Sequence, residues 1–308
     1  MDRKEYYLSP DFQDQQISDS DSGIYTDKES TSQDLGGIFS NKFSNIDMLY
    51  CSEHGATEIH TATRYGKRFV LKGLRKEYRE DPVYNMCMAK EFEIGMTLDH
   101  PNIRRTIGIE TVDGLGKRII LEYIDGVTLA EKLSTGHISS EEATSVARQA
   151  ADALRYLHGK QICHRDLKPE NILIPYLGDT IKIIDFNLSD SDDYIILKNP
   201  AGSKRYMAPE LTSPDSRPTP ETDYYSLGVL IGDIAKASNN HLLSVASSRF
   251  MAADPKRRIE GLSILEKDPH LHETTSLPYR IISSKTITYI LSAICLILSV
   301  FITLHYID

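Results

Sequence analysis

The stretch on which the reading turns is His164-Arg165-Asp166-Leu167-Lys168-Pro169-Glu170-Asn171. It sets a carboxylate (Asp166), an ammonium (Lys168) and a carboxamide (Asn171) at short, fixed spacing, which a merely charged surface loop has no reason to do. Upstream, Ser140 to His158 carries helical periodicity behind a Ser-Ser-Glu-Glu cap. Downstream, Thr180-Ile181-Lys182-Ile183-Ile184 reads as a strand leading into Asp185. Further upstream, Arg68-Phe69-Val70-Leu71-Lys72 is a short apolar strand ending in a lysine, Lys90 to Leu98 has an amphipathic helical pattern, and Arg118 to Tyr123 reads as a buried strand. A β-rich part therefore precedes an α-rich one, an α+β order that several folds share.

The chain has 308 residues, a 40% hydrophobic share and a formal net charge of -9. That length suits one large domain with appendages, and the acidic balance without a basic stripe argues against a nucleic-acid partner. Cys51, Cys87, Cys163 and Cys295 are far apart and signal neither a zinc site nor a disulfide framework, so a reducing cytoplasm suits the folded part. Residues 1–40 are rich in Asp, Ser, Gln and Glu and show no sustained period, which predicts a disordered acidic tail rather than a targeting segment. Residues 286–304 carry no charge and are dominated by Ile, Leu, Val, Ala and Phe; the run is long enough to span a bilayer as a helix. Arg280 and Lys285 precede it and only His305 to Asp308 follow, which predicts a single-pass C-terminal anchor with the rest of the chain in the cytoplasm. A buried, all-apolar C-terminal helix is the alternative.

The stretch at 164–171 resembles the catalytic loop of eukaryotic-type (Hanks-type) Ser/Thr protein kinases. The resemblance implies a two-lobed kinase-like fold over residues 45–270, with a β-rich lobe at 45–122, a larger helical lobe at 123–270, a linker at 271–285 and the transmembrane helix at 286–304. It implies ATP with Mg²⁺ or Mn²⁺ as cofactors, and protein Ser/Thr hydroxyls, the chain's own among them, as acceptors. Phosphoryl transfer asks a protein for positioning and charge neutralisation more than for covalent chemistry. In that light Asp166 would orient or accept the hydroxyl proton and Lys168 would neutralise the γ-phosphate. Asn171 and Asp185 would hold the metal through oxygen. Lys72 and Glu91 resemble the strand-lysine and helix-glutamate pair that positions the phosphates, and Ile59, Val70, Glu122, Ile124 and Leu173 would surround the rest of the nucleotide. Three further matches would be structural. Glu210, closing Gly202-Ser203-Lys204-Arg205-Tyr206-Met207-Ala208-Pro209-Glu210, should be buried against Arg258, and Asp223 should hold the catalytic-loop backbone. Lys168-Pro169-Glu170 and Ser203 fit the Ser/Thr class rather than the Tyr class.

Several positions depart from the family pattern. Asp185-Phe186-Asn187 stands where the family has Asp-Phe-Gly, and Asn tolerates positive φ next best after Gly. The Gly-rich loop aligns with Ser52-Glu53-His54-Gly55-Ala56-Thr57-Glu58-Ile59, without any of the three signature glycines, so weaker nucleotide affinity is expected. Val70 crowds the adenine site, and Gly95 and Thr106 stand where large apolar residues stack beneath Phe186. The short interval from Asp223 to Asp254 predicts that the helical segment which docks protein substrates is abbreviated or missing. Ser189, Ser191 and Tyr194 are candidate phosphosites among Asp190, Asp192 and Asp193. A membrane-anchored Ser/Thr kinase is the reading that the retained Lys72, Glu91, Asp166, Lys168, Asn171 and Asp185 favour. The alternatives are a pseudokinase acting as a membrane-tethered nucleotide-binding or scaffold protein, on account of the departures, and a small-molecule kinase, on account of the shortened region alone.

Overall fold

The computed structural model describes residues 42–52, 55–185, 204–213 and 216–266. The acidic tail at 1–40, His54, Phe186, Asn187, the phosphosites Ser189, Ser191 and Tyr194, Gly202, Ser203, the linker and the apolar run 286–304 lie outside them.

The first lobe is an antiparallel sheet of β1 (Ser44–Cys51), β2 (Thr57–Arg64), β3 (Lys67–Leu74), β4 (Thr106–Val112) and β5 (Gly116–Glu122), in the order β1-β2-β3-β5-β4. The register of β2, β3 and β5 sorts their side chains by alternation, with Ile59 opposite Lys72 and Lys72 opposite Ile119 on one face. That face also carries Val70 and Leu121, which join Leu74, Ala56 and Met88 in a small core under helix α1 (Pro82–Thr97). Asp81 caps α1 by accepting from Val83 N at 2.8 Å, and Pro82 occupies its first turn, where a missing N–H is harmless. The helix therefore begins about two turns before Lys90, where apolar periodicity alone would start it; Asp81-Pro82 is the overlooked start signal.

The opposite face of the same strands buries charge. Glu58 of β2 sits across from Gly73, and Gly73 across from Arg118 of β5. A Cβ at Gly73 would overlap the Arg118 guanidinium, so the glycine makes the room that this arginine occupies at 0% exposure. Arg118 pairs with Glu58, and Arg79, reaching over from the segment before α1, bonds the same carboxylate oxygen at 3.0 Å. His60 lies beside this cluster, buried, with no hydrogen bond to Nδ1. Burial lowers its pKa below the usual 6.5, Glu58 pulls the other way, and Arg118 and Arg79 reinforce the fall. The folded histidine thus stays neutral where the unfolded one takes up a proton. Stability present above pH 6.5 should be lost as pH falls below it, at up to ~1.4 kcal/mol per pH unit. Denaturant melts of wild type and His60→Gln between pH 5 and pH 7 check this at ~0.5-unit steps: the variant should lose part of the acid sensitivity, and equal slopes would contradict the assignment.

The second lobe begins with β6 (Gly126–Thr128) and the short α2 (Leu129–Ser134), whose Thr128 and Glu131 form a reciprocal cap. α3 (Ser140–Gly159) follows, capped by Ser139, and places Ala143, Val146, Ala147, Ala150, Ala153, Leu154 and Leu157 on its buried face. These pack against Leu227, Leu230, Ile231 and Ile234 of α4 (Pro220–Ser238), forming the main core. Between the two helices in sequence, β7 (Ile172–Pro175) and β8 (Lys182–Ile183) complete a sheet in the order β6-β7-β8. The strand expected over Thr180 to Ile184 is thus only two residues long. α4 ends at Asn239 in a left-handed conformation (φ 51), and Asn240 caps α5 (His241–Phe250) at once, so nothing but these two residues separates them. No further helix fits there, in line with the short Asp223 to Asp254 interval; α6 (Glu260–Glu266) closes the described chain.

Candidate active site

The catalytic-loop candidates converge because α4 holds their backbone. Asp223, almost fully buried, accepts from His164 N at 2.7 Å and Arg165 N at 2.8 Å, and His158 Nε2 of α3 lies 2.9 Å from the same carboxylate. This pins the chain through a turn in which Arg165 takes a positive φ of 67. His164 is fully buried, and desolvation keeps its imidazole neutral; its Nδ1 accepts from Asp166 N at 3.3 Å. Asp166 then projects beside Lys168, whose Nζ donates to Asp166 Oδ2 at 2.9 Å. Asn171 Nδ2 donates to Asp166 O at 2.7 Å and to Oδ2 at 3.2 Å. With its amide nitrogen so engaged, Asn171 has its carbonyl oxygen to offer a hard cation, and Asp185 adds a carboxylate. Two protein oxygens are what Mg²⁺ takes when phosphates supply the rest, so the donor set fits the ion.

Across the cleft, β3 delivers Lys72 and α1 delivers Glu91. Lys72 Nζ donates to Glu91 Oε1 at 2.7 Å and also to Asp185 Oδ1. Burial alone would lower Lys72, yet the two carboxylates outweigh it and hold the ammonium above its ordinary range. Glu91 moves up, chiefly through burial and against the pull of Lys72, with Asp185 adding repulsion. Val70 is buried and Ile59, Ile124 and Leu173 are half-buried. Glu122 is turned to other work: its carboxylate accepts from Arg105 N and Lys182 Nζ, both at 3.1 Å, so what it can offer a nucleotide is backbone. Glu210 pairs with Arg258 through two bonds of 2.6 and 3.0 Å, but is half-buried rather than buried, because only Arg258 is fully enclosed. Arg258 also binds Glu221 O and Ala252 O, which draws it inward.

Two features escaped the sequence reading. The turn between β1 and β2 is held by side chains: Ser52 Oγ accepts from Gly55 N at 2.8 Å, and Arg75 Nη1 donates to Ser52 O at 2.9 Å and Gly55 O at 3.3 Å. The second is Arg104, a buried arginine in a small cleft behind the Lys72 and Glu91 pair. Its signal was the Arg104-Arg105 pair directly after Asn102-Ile103, at the mouth of a strand.

Comparison with known proteins agrees with this geometry. The family model described as "Protein kinase domain" matches residues 54–295, and the chain belongs to that family. The serine/threonine-protein kinase PrkC of Bacillus subtilis is 28% identical over 228 residues, covering 68% of this chain and 35% of that protein. The serine/threonine-protein kinase PknB of Mycobacterium leprae is 30% identical over 226 residues, covering 68% and 36%. A third, ppk25 of Schizosaccharomyces pombe, is 40% identical over 148 residues, covering 47% and 34%. The chain thus spans about a third of the length of these curated relatives. Among solved structures, the Mycobacterium tuberculosis PknI kinase domain aligns with a TM-score of 0.55 at 21% identity, covering 75% of this chain and 97% of that one. That likeness establishes the two-lobed fold.

Proposed function

We propose that the chain is a serine/threonine protein kinase that transfers the γ-phosphate of ATP to Ser or Thr hydroxyls of proteins, anchored in a membrane by residues 286–304. The observation that carries the catalytic part is the convergence of Asp166, Lys168, Asn171 and Asp185 on one side of the cleft with Lys72 and Glu91 on the other. Bound Mg·ATP would supply the phosphoryl group and a hard cation for the oxygens of Asn171 and Asp185. Asp166, oriented by Lys168 and Asn171, is placed to accept a hydrogen bond from an acceptor hydroxyl and hold its proton. Lys168 keeps positive charge at that point, and Lys72, held from behind by Glu91, presents a second cation. His164 and Asp223 fix the backbone from which these groups project. Acceptor class is read from Lys168-Pro169-Glu170 and from the Ser/Thr kinase names of the relatives. Phosphoamino-acid analysis of labelled protein substrate tests it: phosphoserine and phosphothreonine are expected, and phosphotyrosine alone would overturn the assignment.

The loop between β1 and β2 favours a weaker grip on nucleotide. The Gly55 N–H, which could face a phosphate, donates to Ser52 Oγ instead. Ser52→Gly should free it and tighten ATP binding, by up to about tenfold if one hydrogen bond to a charged oxygen of ~1.5 kcal/mol is regained. An unchanged or weaker affinity would mean that the Ser52 side chain serves the phosphates itself. This loop is also the observation that favours the second reading, a pseudokinase that binds nucleotide without transfer.

Anchoring rests on residues 286–304, an uncharged run preceded by Arg280 and Lys285. Among the described residues no helix is long and apolar enough to cross a membrane. The family match runs to residue 295 and takes in 286–295, the first half of the run, which is the observation on the side of a globular role for it. Alkaline carbonate should leave the 308-residue chain in the membrane pellet, and deletion from Lys285 onward should release a folded protein. Extraction of the intact chain by that wash would return the run to the globular domain.

A further inference from the structure

The turn that joins β1 to β2 is braced by a single guanidinium. Arg75, the first residue past β3, donates from Nη1 to Ser52 O at 2.9 Å and to Gly55 O at 3.3 Å, and its own backbone N–H bonds Ala56 O at 2.8 Å. Its Nη2 donates to Glu77 Oε1 at 2.9 Å, and the guanidinium carbon lies 5.8 Å from the centre of the Tyr78 ring, so the arginine is itself held by the segment before α1. The glycine of the turn belongs to the same arrangement: a Cβ at Gly55 would overlap Ser52 Oγ, which accepts from the Gly55 N–H at 2.8 Å. The place of the turn matters as well. Ile59 lies opposite Lys72 in the ladder of β2 and β3, Thr57 lies opposite Leu74, and the turn follows directly, beside the ammonium proposed for the phosphates.

A phosphate is attracted by backbone N–H groups and repelled by carbonyl oxygens, so the way each peptide of a covering turn is rotated decides what the turn offers it. Glycines let peptides rotate freely, and a turn without the three signature glycines must have its peptides set by something else. Arg75 is placed to set them. A trans peptide is planar, with its C=O and N–H directed oppositely, so drawing Gly55 O onto the guanidinium points the Ala56 N–H away from it. The same guanidinium engages Ser52 O. Simple attraction between Arg75 and an anion is the lesser part, because Glu77 already offsets its charge. We propose that Arg75 is a positioning residue for the phosphates of the nucleotide: by holding Ser52 O and Gly55 O it keeps two repelling carbonyls off the phosphates and leaves the Ala56 N–H to face them. In this turn a guanidinium does the setting that the missing glycines would otherwise allow the phosphates to do. The inference rests on the proposed nucleotide site, though not on turnover.

The test compares the 308-residue chain with Arg75→Met, which keeps length without donors, Arg75→Lys, which keeps the charge with fewer donors, and Glu77→Gln, which leaves the guanidinium charge unbalanced. ATP, ADP and adenosine each compete against a fluorescent ATP analogue, and the Michaelis constant for ATP and kcat are read beside them. Arg75→Met should weaken ATP and ADP about tenfold, as for one lost hydrogen bond to a charged oxygen, and adenosine less than about twofold. Arg75→Lys should show the same selectivity at about threefold, and it carries the test if Arg75→Met does not fold. The Michaelis constant should rise while kcat stays within about threefold of wild type, which a general loosening of the fold would not produce. Unchanged ATP affinity in a folded Arg75→Met or Arg75→Lys protein overturns the proposal, and so does an equal loss for adenosine. ATP bound about tenfold tighter by Glu77→Gln would show Arg75 acting as a plain cation and overturn it too. Phosphate-selective loss in a chain that shows no transfer sustains it while refuting the kinase activity. A wild type that binds ATP no tighter than adenosine overturns it whatever the transfer assay shows.

Discussion

Replacing Asp166 by Ala should lower the rate of phosphate transfer by ~10²- to 10⁴-fold while leaving nucleotide affinity nearly unchanged. The carboxylate is oriented by Lys168 at 2.9 Å and Asn171 at 3.2 Å, and its backbone is set by a turn pinned to Asp223. None of these contacts belongs to the opposite wall of the cleft, where Lys72 and Glu91 lie. Loss should therefore fall on turnover rather than on binding. Asp185→Ala should behave differently, because it removes a proposed metal oxygen and one of the two partners of Lys72 at once. Metal-dependent turnover should disappear and nucleotide binding should lose its response to Mg²⁺. Initial rates and equilibrium titrations on both variants separate the two patterns. A tenfold weaker nucleotide affinity in Asp166→Ala would show that the two sides of the cleft are not independent.

The largest effect on stability should come from Glu58→Ala. Arg118 has no exposed surface and depends on Glu58, which Arg79 shares at 3.0 Å. Removing the carboxylate leaves two arginines facing each other, one of them wholly buried, and breaking a buried pair in this way costs about 3–5 kcal/mol. Arg79 also ties the segment before α1 to the sheet through Leu74 O at 3.2 Å. Loss of the cluster should thus loosen the approach to the helix that carries Glu91. Replacing Glu58 and Arg118 together by apolar residues should recover much of the loss, since the desolvated charge would be gone. Chemical denaturation measures both, and a Glu58→Ala protein within ~1 kcal/mol of wild type would mean that water reaches the cluster.

What the sequence made legible was set by local chemistry. The stretch 164–171 carries its functional types within one loop, and Asp223 and Arg258 could be placed because motif spacing fixed them. Lys72 and Glu91 are 19 residues apart yet meet at 2.7 Å, and it was register with those motifs that joined them. The start of α1 was missed because apolar periodicity weakens toward its first turns, where Asp81 and Pro82 carry the signal instead. Ser52 and Arg75 were hidden for a different reason: they act through a turn and a guanidinium 23 residues away, a pairing no periodicity reveals. Arg104 was hidden because nothing local marks an arginine for burial, and only the fold brings it to the cleft that Glu91, Gly95 and Thr106 also line.

The most direct measurement is transfer of labelled γ-phosphate from Mg·ATP by the 308-residue chain, run beside its Asp166→Ala variant. The geometry of Asp166, Lys168, Asn171, Lys72 and Asp185 predicts Mg²⁺-dependent label on protein substrate or on the chain itself, well above the Asp166→Ala background. Nucleotide binding with no transfer above that background would contradict it and identify the chain as a kinase fold used for binding alone.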